Sequence, residues 1–105
     1  MAMYDRNRRE LLHILAIARS SRETELLLDG LLTPQEMEEL VKRWELMCRL
    51  VQKEPQRQIA HELGVSLGKI ARGSRLVKYG PEGFRRLVER ALKQGVEASG
   101  RAHHA

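Results

Sequence analysis

The sequence predicts an all-α protein of six helices. Along most of the chain, apolar residues recur at intervals of three and four, the spacing that gives a helix one apolar face. Residues that start or stop helices separate these segments, notably Pro34, Pro55, Gly64 and Pro81. No stretch of useful length alternates apolar and polar residues, so no β-strand is predicted.

Two helices are predicted before residue 31. The first runs from Tyr4 to Ser20, and its apolar face is wide enough to be buried on more than one side. The second is short and runs from Ser21, interpreted as its N-cap, to Asp29, with Gly30 expected to end it. The apolar residues of the first helix are Leu11, Leu12, Ile14, Leu15, Ile17 and Ala18.

The third predicted helix has the clearest start. Thr33 is its N-cap, Pro34 takes the first helical position, and Glu36 completes a capping box. The helix is expected to continue as far as Lys53, because Pro55 cannot extend it. Its predicted apolar stripe consists of Met37, Leu40, Val41, Trp44, Met47, Cys48 and Val51.

Residues 56–78, QRQIAHELGVSLGKIARGSRLVK, have the pattern of a helix-turn-helix. Ile59 and Leu63, spaced i, i+4, form the inward stripe of the first short helix. Ala60 is small enough to let a second helix cross close above it. Gly64 suits the left-handed conformation that ends the first helix. An ordinary helical hairpin with a glycine turn is the alternative that this pattern leaves open.

Ser66 is the predicted N-cap of the second helix of this motif. This helix is expected to bury Leu67, Ile70 and Val77 and to leave its other side open to a partner. Small residues near its start suit a helix that enters a groove in DNA. The residues predicted to face the partner are Gly68, Lys69, Ala71, Arg72 and Arg75.

The last predicted helix starts at Pro81 and is closed by Gln94-Gly95, with Phe84, Leu87, Val88, Ala91 and Leu92 inward. The chain is therefore interpreted as one helical domain over residues 1–95, followed by a disordered tail over 96–105. Within the domain, the predicted parts are a dimerisation core at 4–54, the helix-turn-helix at 56–78 and the C-terminal helix at 81–94.

Dimerisation is predicted because six helices on so short a chain carry more apolar surface than one small core can bury. The excess lies in the N-terminal half. A two-fold homodimer would present two reading helices to a pseudo-palindromic DNA site, about one helical turn apart.

The positive charge is concentrated in the second half of the chain. Residues 1–55 contain 9 Lys or Arg and 10 Asp or Glu, whereas residues 56–105 contain 10 and 4. This asymmetry predicts a surface that binds a polyanion. A membrane surface is disfavoured, because no segment combines a basic face with a bulky aromatic or leucine face.

Several function classes find no support in the sequence. Ser66 and Ser74 lack a paired base and no glycine-rich phosphate loop is present, so no catalytic residue is predicted. The four histidines lack metal-ligand spacing, and no metal site is predicted. A cytoplasmic protein is predicted, because the sequence contains a single cysteine, Cys48, and shows neither the apolar core of a signal peptide nor an apolar run of transmembrane length.

Two segments, LLTPQEMEELVKRWELMCRL and IAHELGVSLGKIARGSRLVKYG, together resemble the tryptophan repressor family. The resemblance is clear over residues 31–92 and covers the N-terminal helices only in outline. It implies an intertwined all-helical homodimer with helix-turn-helix reading heads, positioned by a small indole ligand that both subunits hold. L-tryptophan, acting as corepressor of a transcriptional repressor, is the first choice of ligand, and no other cofactor is implied.

The resemblance assigns the ligand site residue by residue. Leu32 and Thr33 would come from one chain, and Arg43, Arg72 and Gly73 from the other. A guanidinium can stack on an indole face and pair with a carboxylate, and a glycine would let the ring approach the backbone. Both arginines could instead be ordinary solvated surface charges.

Two residues depart from the tryptophan-binding members of the family. Leu76 stands where they carry a serine that helps to hold the ligand's ammonium group, and Gly30 where they carry a leucine whose carbonyl does the same. Loss of the hydroxyl would forfeit a charge-assisted hydrogen bond, roughly 1.5–3 kcal/mol. An indole carboxylate without the amine, or no ligand at all as in a sibling branch of the family, therefore stays open.

The family match also places a set of residues at the DNA. Arg57 is the expected reader of guanine, because its fork suits O6 and N7. Lys69, Arg75 and Lys78 are assigned to phosphates. The remaining positions at the interface are Gln56, Ala60, Leu67, Gly68 and Ala71. The rival interpretation is a helical protein-docking module whose basic face binds an acidic partner without sequence preference.

Overall fold

The computed structural model describes residues 2–95, which form six α-helices and no strand. The predicted all-α class and number of helices are therefore confirmed for this part of the chain, and the tail predicted at 96–105 lies outside the described residues. The helices are α1 (Ala2–Ile17), α2 (Ser21–Leu31), α3 (Pro34–Val51), α4 (Gln56–Leu63), α5 (Leu67–Tyr79) and α6 (Glu82–Lys93). None of them is long and apolar enough to cross a bilayer.

The chain divides into two compact units between Glu39 and Leu40, within α3. In the first unit, no residue of α1 or α2 is buried. The apolar surface that was predicted to exceed the capacity of one small core is thus exposed in the single chain. Its large exposed members are Met3, Tyr4, Leu11, Leu12, Ile14, Ile17, Leu26 and Leu31.

The ends of α2 differ from the prediction by one or two residues. Ser20, rather than Ser21, is the N-cap, and its hydroxyl accepts a hydrogen bond from the Glu23 N–H at 3.2 Å. Gly30 lies inside the last turn and does not end the helix, because extended backbone at Leu32 does so. The Leu32 N–H donates to the Leu28 carbonyl and closes the last turn.

The predicted capping box at the start of α3 is confirmed. The Glu36 N–H donates to Thr33 Oγ1 at 3.1 Å, and the Thr33 N–H donates to Glu36 Oε1 at 2.9 Å. Pro34 occupies the first helical position, where its missing N–H costs nothing. The start of this helix is therefore specified by three residues that are close in sequence.

The core of the second unit is a cluster of Leu46, Leu50, Ile59 and Ile70. Leu46 and Leu50 were not part of the predicted stripe of α3, and they form a second apolar face one turn apart. Two predicted stripe residues are exposed instead, Leu40 at 42% and Val41 at 59%. Helix α3 is therefore apolar on two sides. Partly buried residues packed against the cluster are Ala60, Leu63, Val65 and Val77.

Two leucines that were predicted to face inward are exposed. Leu67 is 63% exposed because it is the first residue of α5, and the helix packs through Ile70 one turn later. Leu87 is 55% exposed, whereas its neighbour Val88 is buried. The two differ because consecutive residues of a helix point about 100° apart. The predicted burial of Ile70 is confirmed, and Val77 is partly buried against the same core.

Helix α3 ends at Val51, two residues earlier than predicted, in a left-handed turn at Lys53, where φ is 63°. The Lys53 N–H donates to the Leu50 carbonyl at 3.0 Å, and the Glu54 N–H donates to the Arg49 carbonyl at 3.1 Å. This pair of bonds is the Schellman arrangement, which usually has glycine at the left-handed position. A lysine there strains the backbone, because its Cβ approaches the following carbonyl.

Lys53→Gly is expected to raise the free energy of unfolding by about 1 kcal/mol, because glycine adopts the left-handed conformation without that penalty. Urea unfolding followed by circular dichroism measures the change. Lys42→Gly is the matched control on the exposed side of α3, where glycine should lower stability by about 1 kcal/mol. A Lys53→Gly protein less stable than the parent would contradict the strain at Lys53.

Candidate functional site

Helices α4 and α5 are joined by a short turn whose geometry follows the sequence prediction. Gly64 is left-handed, with φ 64° and ψ 35°, a conformation that strains residues with a side chain. The Val65 N–H donates to the Ala60 carbonyl at 3.2 Å. Ser66 caps α5, and its hydroxyl accepts from the Lys69 N–H at 3.2 Å. The turn therefore fixes where α5 begins relative to α4.

The outward side of α5 is positively charged. Its four cationic residues are all exposed, and α5 contains no acidic residue. A polyanion can approach this helix without meeting a carboxylate that belongs to it. We call this surface the basic face of α5, formed by Lys69, Arg72, Arg75 and Lys78.

The remaining residues assigned to DNA lie in three kinds of environment. Arg57 on α4 is exposed, as are Gly68 and Ala71 on α5. Gln56 is engaged with α5, because its side-chain Nε2 donates to Ser74 Oγ at 3.2 Å. Ala60 is half-buried and packs against the core, which fits the helix crossing predicted for it. A groove-facing role for Ala60 and Gln56 stays a prediction.

Leu32 and Thr33, assigned to the ligand, belong to the first unit. Leu32 is half-buried at the end of α2, and Thr33 is exposed at the start of α3. The capping box uses the Thr33 hydroxyl oxygen as an acceptor, so the hydroxyl hydrogen is not needed for the cap. The hydroxyl could therefore still donate a hydrogen bond to a carboxylate.

The other ligand residues belong to the second unit. Arg43 and Arg72 are exposed, and Leu76 is half-buried with its Cδ1 atom 2.7 Å from the position that a Cβ on Gly80 would take. Gly73 is buried, and a Cβ there would lie 2.9 Å from Leu50 Cδ1. Gly73 therefore lets α5 approach α3 closely, a packing role that the sequence interpretation missed.

Two open grooves lie along α1 and α2 in the first unit, with volumes of about 690 and 420 Å³. Their walls are largely apolar, and Ile14 and Leu27 line both. Neither groove is lined by Leu32 or Thr33. The grooves therefore belong to the exposed apolar surface of the first unit rather than to the residues assigned to the ligand.

A charged cluster that sequence reasoning missed joins the end of α3 to α4. The Arg49 side chain is 20% exposed, and its Nε donates to Glu45 Oε2 at 2.9 Å. Its Nη1 donates to Glu62 of α4 and lies 3.8 Å from Glu54 Oε1. Only the Glu45–Arg49 pair, spaced i, i+4, could have been found from the sequence.

The Arg49 guanidinium lowers the pKa of the Glu62 carboxyl group, chiefly through its hydrogen bond and with a further contribution from Gln58. A carboxyl whose pKa is lower in the folded than in the unfolded state stabilises the fold above its unfolded pKa, about 4.3 for glutamate. This stabilisation is lost as the pH falls through the folded value.

The difference in unfolding free energy between the parent protein and Glu62→Gln is therefore expected to shrink as the pH falls from 6 to about 3. Urea unfolding at a series of pH values measures it. In an Arg49→Met background, the pH-dependent effect of Glu62→Gln should be smaller, because the largest cause of the lowered pKa is absent and the hydrogen bond from Gln58 remains. A difference that is constant with pH would show that the Arg49–Glu62 pair does not stabilise the fold.

Comparison with known proteins identifies the family. The model of the family described as Trp repressor protein matches residues 7–92. A Trp operon repressor homolog of Vibrio atlanticus is 37% identical over 73 residues, covering 69% of this chain and 74% of the relative. The homolog of Vibrio parahaemolyticus is 32% identical over 95 residues, covering 90% and 92%. That of Xylella fastidiosa is 38% identical over 65 residues, covering 61% and 71%.

The family match extends through both units of the structure and, together with these relatives, confirms the resemblance inferred from the sequence. The chain therefore belongs to the Trp repressor protein family and is a transcriptional regulator of the repressor type rather than an enzyme.

Proposed function

We infer that this protein represses transcription by binding an operator duplex as a homodimer, in response to an indole ligand. The observation that carries the proposal is the basic face of α5, four exposed cations on a helix without an acidic residue. Helices α4 and α5 would form the helix-turn-helix, with α5 in the major groove. The relatives named Trp operon repressor homolog support the same class of function.

A homodimer is supported by the exposed apolar surface of α1 and α2. Leu11, Leu12, Ile14, Ile17 and Leu26 are each at least 38% exposed in the single chain. So many exposed apolar side chains on two helices are typical of an interaction surface, whereas isolated exposed apolar residues are common on any protein. A second copy of the chain could cover them, and the resulting two-fold symmetry would match a pseudo-palindromic operator.

The second part of the proposal concerns the identity of the ligand and the residues that bind it. Leu32 and Thr33 of one chain and Arg43, Arg72 and Gly73 of the other would hold an indole carboxylate. L-tryptophan is the first candidate, supported by the family and by the names of the relatives. Leu76 offers no hydrogen bond to an ammonium group, so an indole acid without the amine, or regulation without ligand, remains the alternative.

Two experiments test the proposal. In a competition gel shift, a duplex selected from a random pool should resist an excess of unrelated duplex. Binding that any duplex abolishes equally would exclude sequence-specific repression and favour a protein-docking module. Titration calorimetry with L-tryptophan, indole-3-acetate and related indoles, with and without the selected duplex, tests the gating. No heat with any of them would remove the ligand from the proposal.

Arg57→Ala is expected to weaken binding to the selected duplex about 10- to 100-fold for each half-site, since one bidentate contact with guanine contributes about 1–3 kcal/mol of discrimination. Its affinity for unrelated duplex should change little. Fluorescence anisotropy with both duplexes measures the ratio. Lys78→Ala is the control, expected to weaken both equally and to lower the salt slope by about 1 for each subunit of the homodimer. If Arg57→Ala also weakened both equally, Arg57 would be a phosphate contact.

A further inference from the structure

The first turn of α5 contains an apolar spot that faces solvent. Leu67 is 63% exposed although it is a large aliphatic residue. Ala71 is also exposed and lies on the same side of the helix, because it follows Leu67 by four residues. Gly68 lies between them in sequence, and apart from its chain neighbours and the backbone of its own helix, a Cβ there would have only Ser66 Oγ within 4 Å, at 3.8 Å. The surface beside Leu67 is therefore open.

The surroundings of this spot restrict what can cover it. The basic face of α5 begins at Lys69, two residues after Leu67, and α5 has no acidic residue. On α4, the single carboxylate is that of Glu62, which is already paired with Arg49. A partner that fits must present negative charge around a small apolar group. The major groove of DNA does so wherever a thymine places its 5-methyl group between phosphates.

We propose that Leu67 and Ala71 recognise thymine in the operator through its 5-methyl group. The inference rests on the proposed function and adds to it the base that the start of α5 selects. Neither side chain can donate or accept a hydrogen bond, so the polar edges of guanine, adenine and cytosine offer them nothing. The methyl group of thymine is the one apolar feature of a base pair in the major groove.

The three residues have different parts in this contact. Leu67 has the reach to cover a methyl group, whereas Ala71 offers one methyl of its own close to the helix axis. Gly68 lets the backbone of α5 come near the bases without a side chain in between. Lys69 and Arg75, which precede and follow Ala71 in the sequence, remain available for phosphates.

The test replaces thymine by deoxyuridine, which keeps base pairing and every hydrogen-bonding group and removes only the methyl. A duplex is selected from a random pool with the full-length protein, in parallel without ligand, with L-tryptophan and with indole-3-acetate, and each thymine is then exchanged singly. At one or two positions in each half-site, we expect the affinity to fall about fourfold, the effect of exposing one buried methyl group. Fluorescence anisotropy at constant salt measures it.

The variant Leu67→Ala connects the effect to the residue. Its binding to the duplex should be weaker, and the penalty for deoxyuridine at one of the sensitive positions should disappear. Folding is expected to be unaffected, since the side chain is exposed. Tyr79→Ala is the matched control, because Tyr79 is 82% exposed at the opposite end of α5. It should retain the full deoxyuridine penalty.

The possible outcomes distinguish failure of thymine recognition from failure of DNA binding itself. Sequence-specific binding that tolerates deoxyuridine at every position would overturn thymine recognition and leave the repressor proposal intact. A penalty that persists in Leu67→Ala would assign the contact to other residues and overturn the role of Leu67. If selection enriched no sequence at all, the DNA-binding function would fail and the inference with it.

Discussion

Replacing Ile70 by alanine is expected to lower the free energy of unfolding by about 2–5 kcal/mol, the range for truncating a fully buried isoleucine. Ile70 is completely buried in the cluster that also contains Leu46, Leu50 and Ile59. Helices α3, α4 and α5 meet at this cluster, so a cavity there weakens the packing among these three helices. Urea unfolding at fixed protein concentration measures the loss.

The control is the truncation of Leu67 on the same helix. Leu67→Ala should change the unfolding free energy by less than about 0.5 kcal/mol, because the side chain is largely in water already. The sequence predicted burial for both residues, and the structure separates them. Equal losses from the two variants would show that Leu67 is covered in the folded protein.

A second large effect is expected at the ligand. Leu76→Ser should shift the preference of the protein toward L-tryptophan over indole-3-acetate by about 10- to 100-fold. The new hydroxyl can accept a hydrogen bond from the ammonium group, and bonds of this charge-assisted kind contribute about 1.5–3 kcal/mol. Titration calorimetry with both ligands gives the ratio of dissociation constants.

Leu87→Ser is the matched control for this experiment. It makes the same chemical change on α6, at a leucine that is 55% exposed and has no assigned ligand role. The ratio of the two dissociation constants should be unchanged by it. If Leu76→Ser also left the ratio unchanged, Leu76 would not lie beside the amine of the ligand.

Features encoded by neighbouring residues were predictable from the sequence. The capping box of Thr33 and Glu36, the left-handed Gly64 and the Ser66 cap all depend on residue types a few positions apart. Pattern reasoning detects these because the hydrogen bonds themselves are local. The family could be recognised because its two characteristic segments are continuous in sequence, at residues 31–50 and 59–80.

The choice of buried side was less predictable where a helix is apolar on two sides. In α3, the longest regular stripe included Leu40 and Val41, which are exposed, and omitted Leu46 and Leu50, which form the core. Periodicity shows that a face is apolar but not which neighbour covers it. The contact of Arg49 with Glu62 spans thirteen residues, and no local pattern reveals it.

The packing of Gly73 shows the same limit. The sequence motif suggests a glycine that a ligand could approach. In the structure, the side chains of Leu50 and Met47 lie next to the position that a Cβ on Gly73 would take. Both roles require the absence of a side chain, so the residue type alone cannot distinguish them. Only the arrangement of α5 against α3 reveals the packing role.

Because Thr33 belongs to a capping box, a substitution at this position would be difficult to interpret in a genetic screen for ligand response. The Thr33 hydroxyl caps α3, and in the proposed site it would also contact the corepressor. Alanine at this position would remove the cap and the contact together, so a loss of regulation would not reveal which one mattered. Serine retains both functions, and asparagine retains the cap while replacing the hydroxyl with an amide. Comparison of these two alleles would separate helix initiation from ligand sensing in a living cell.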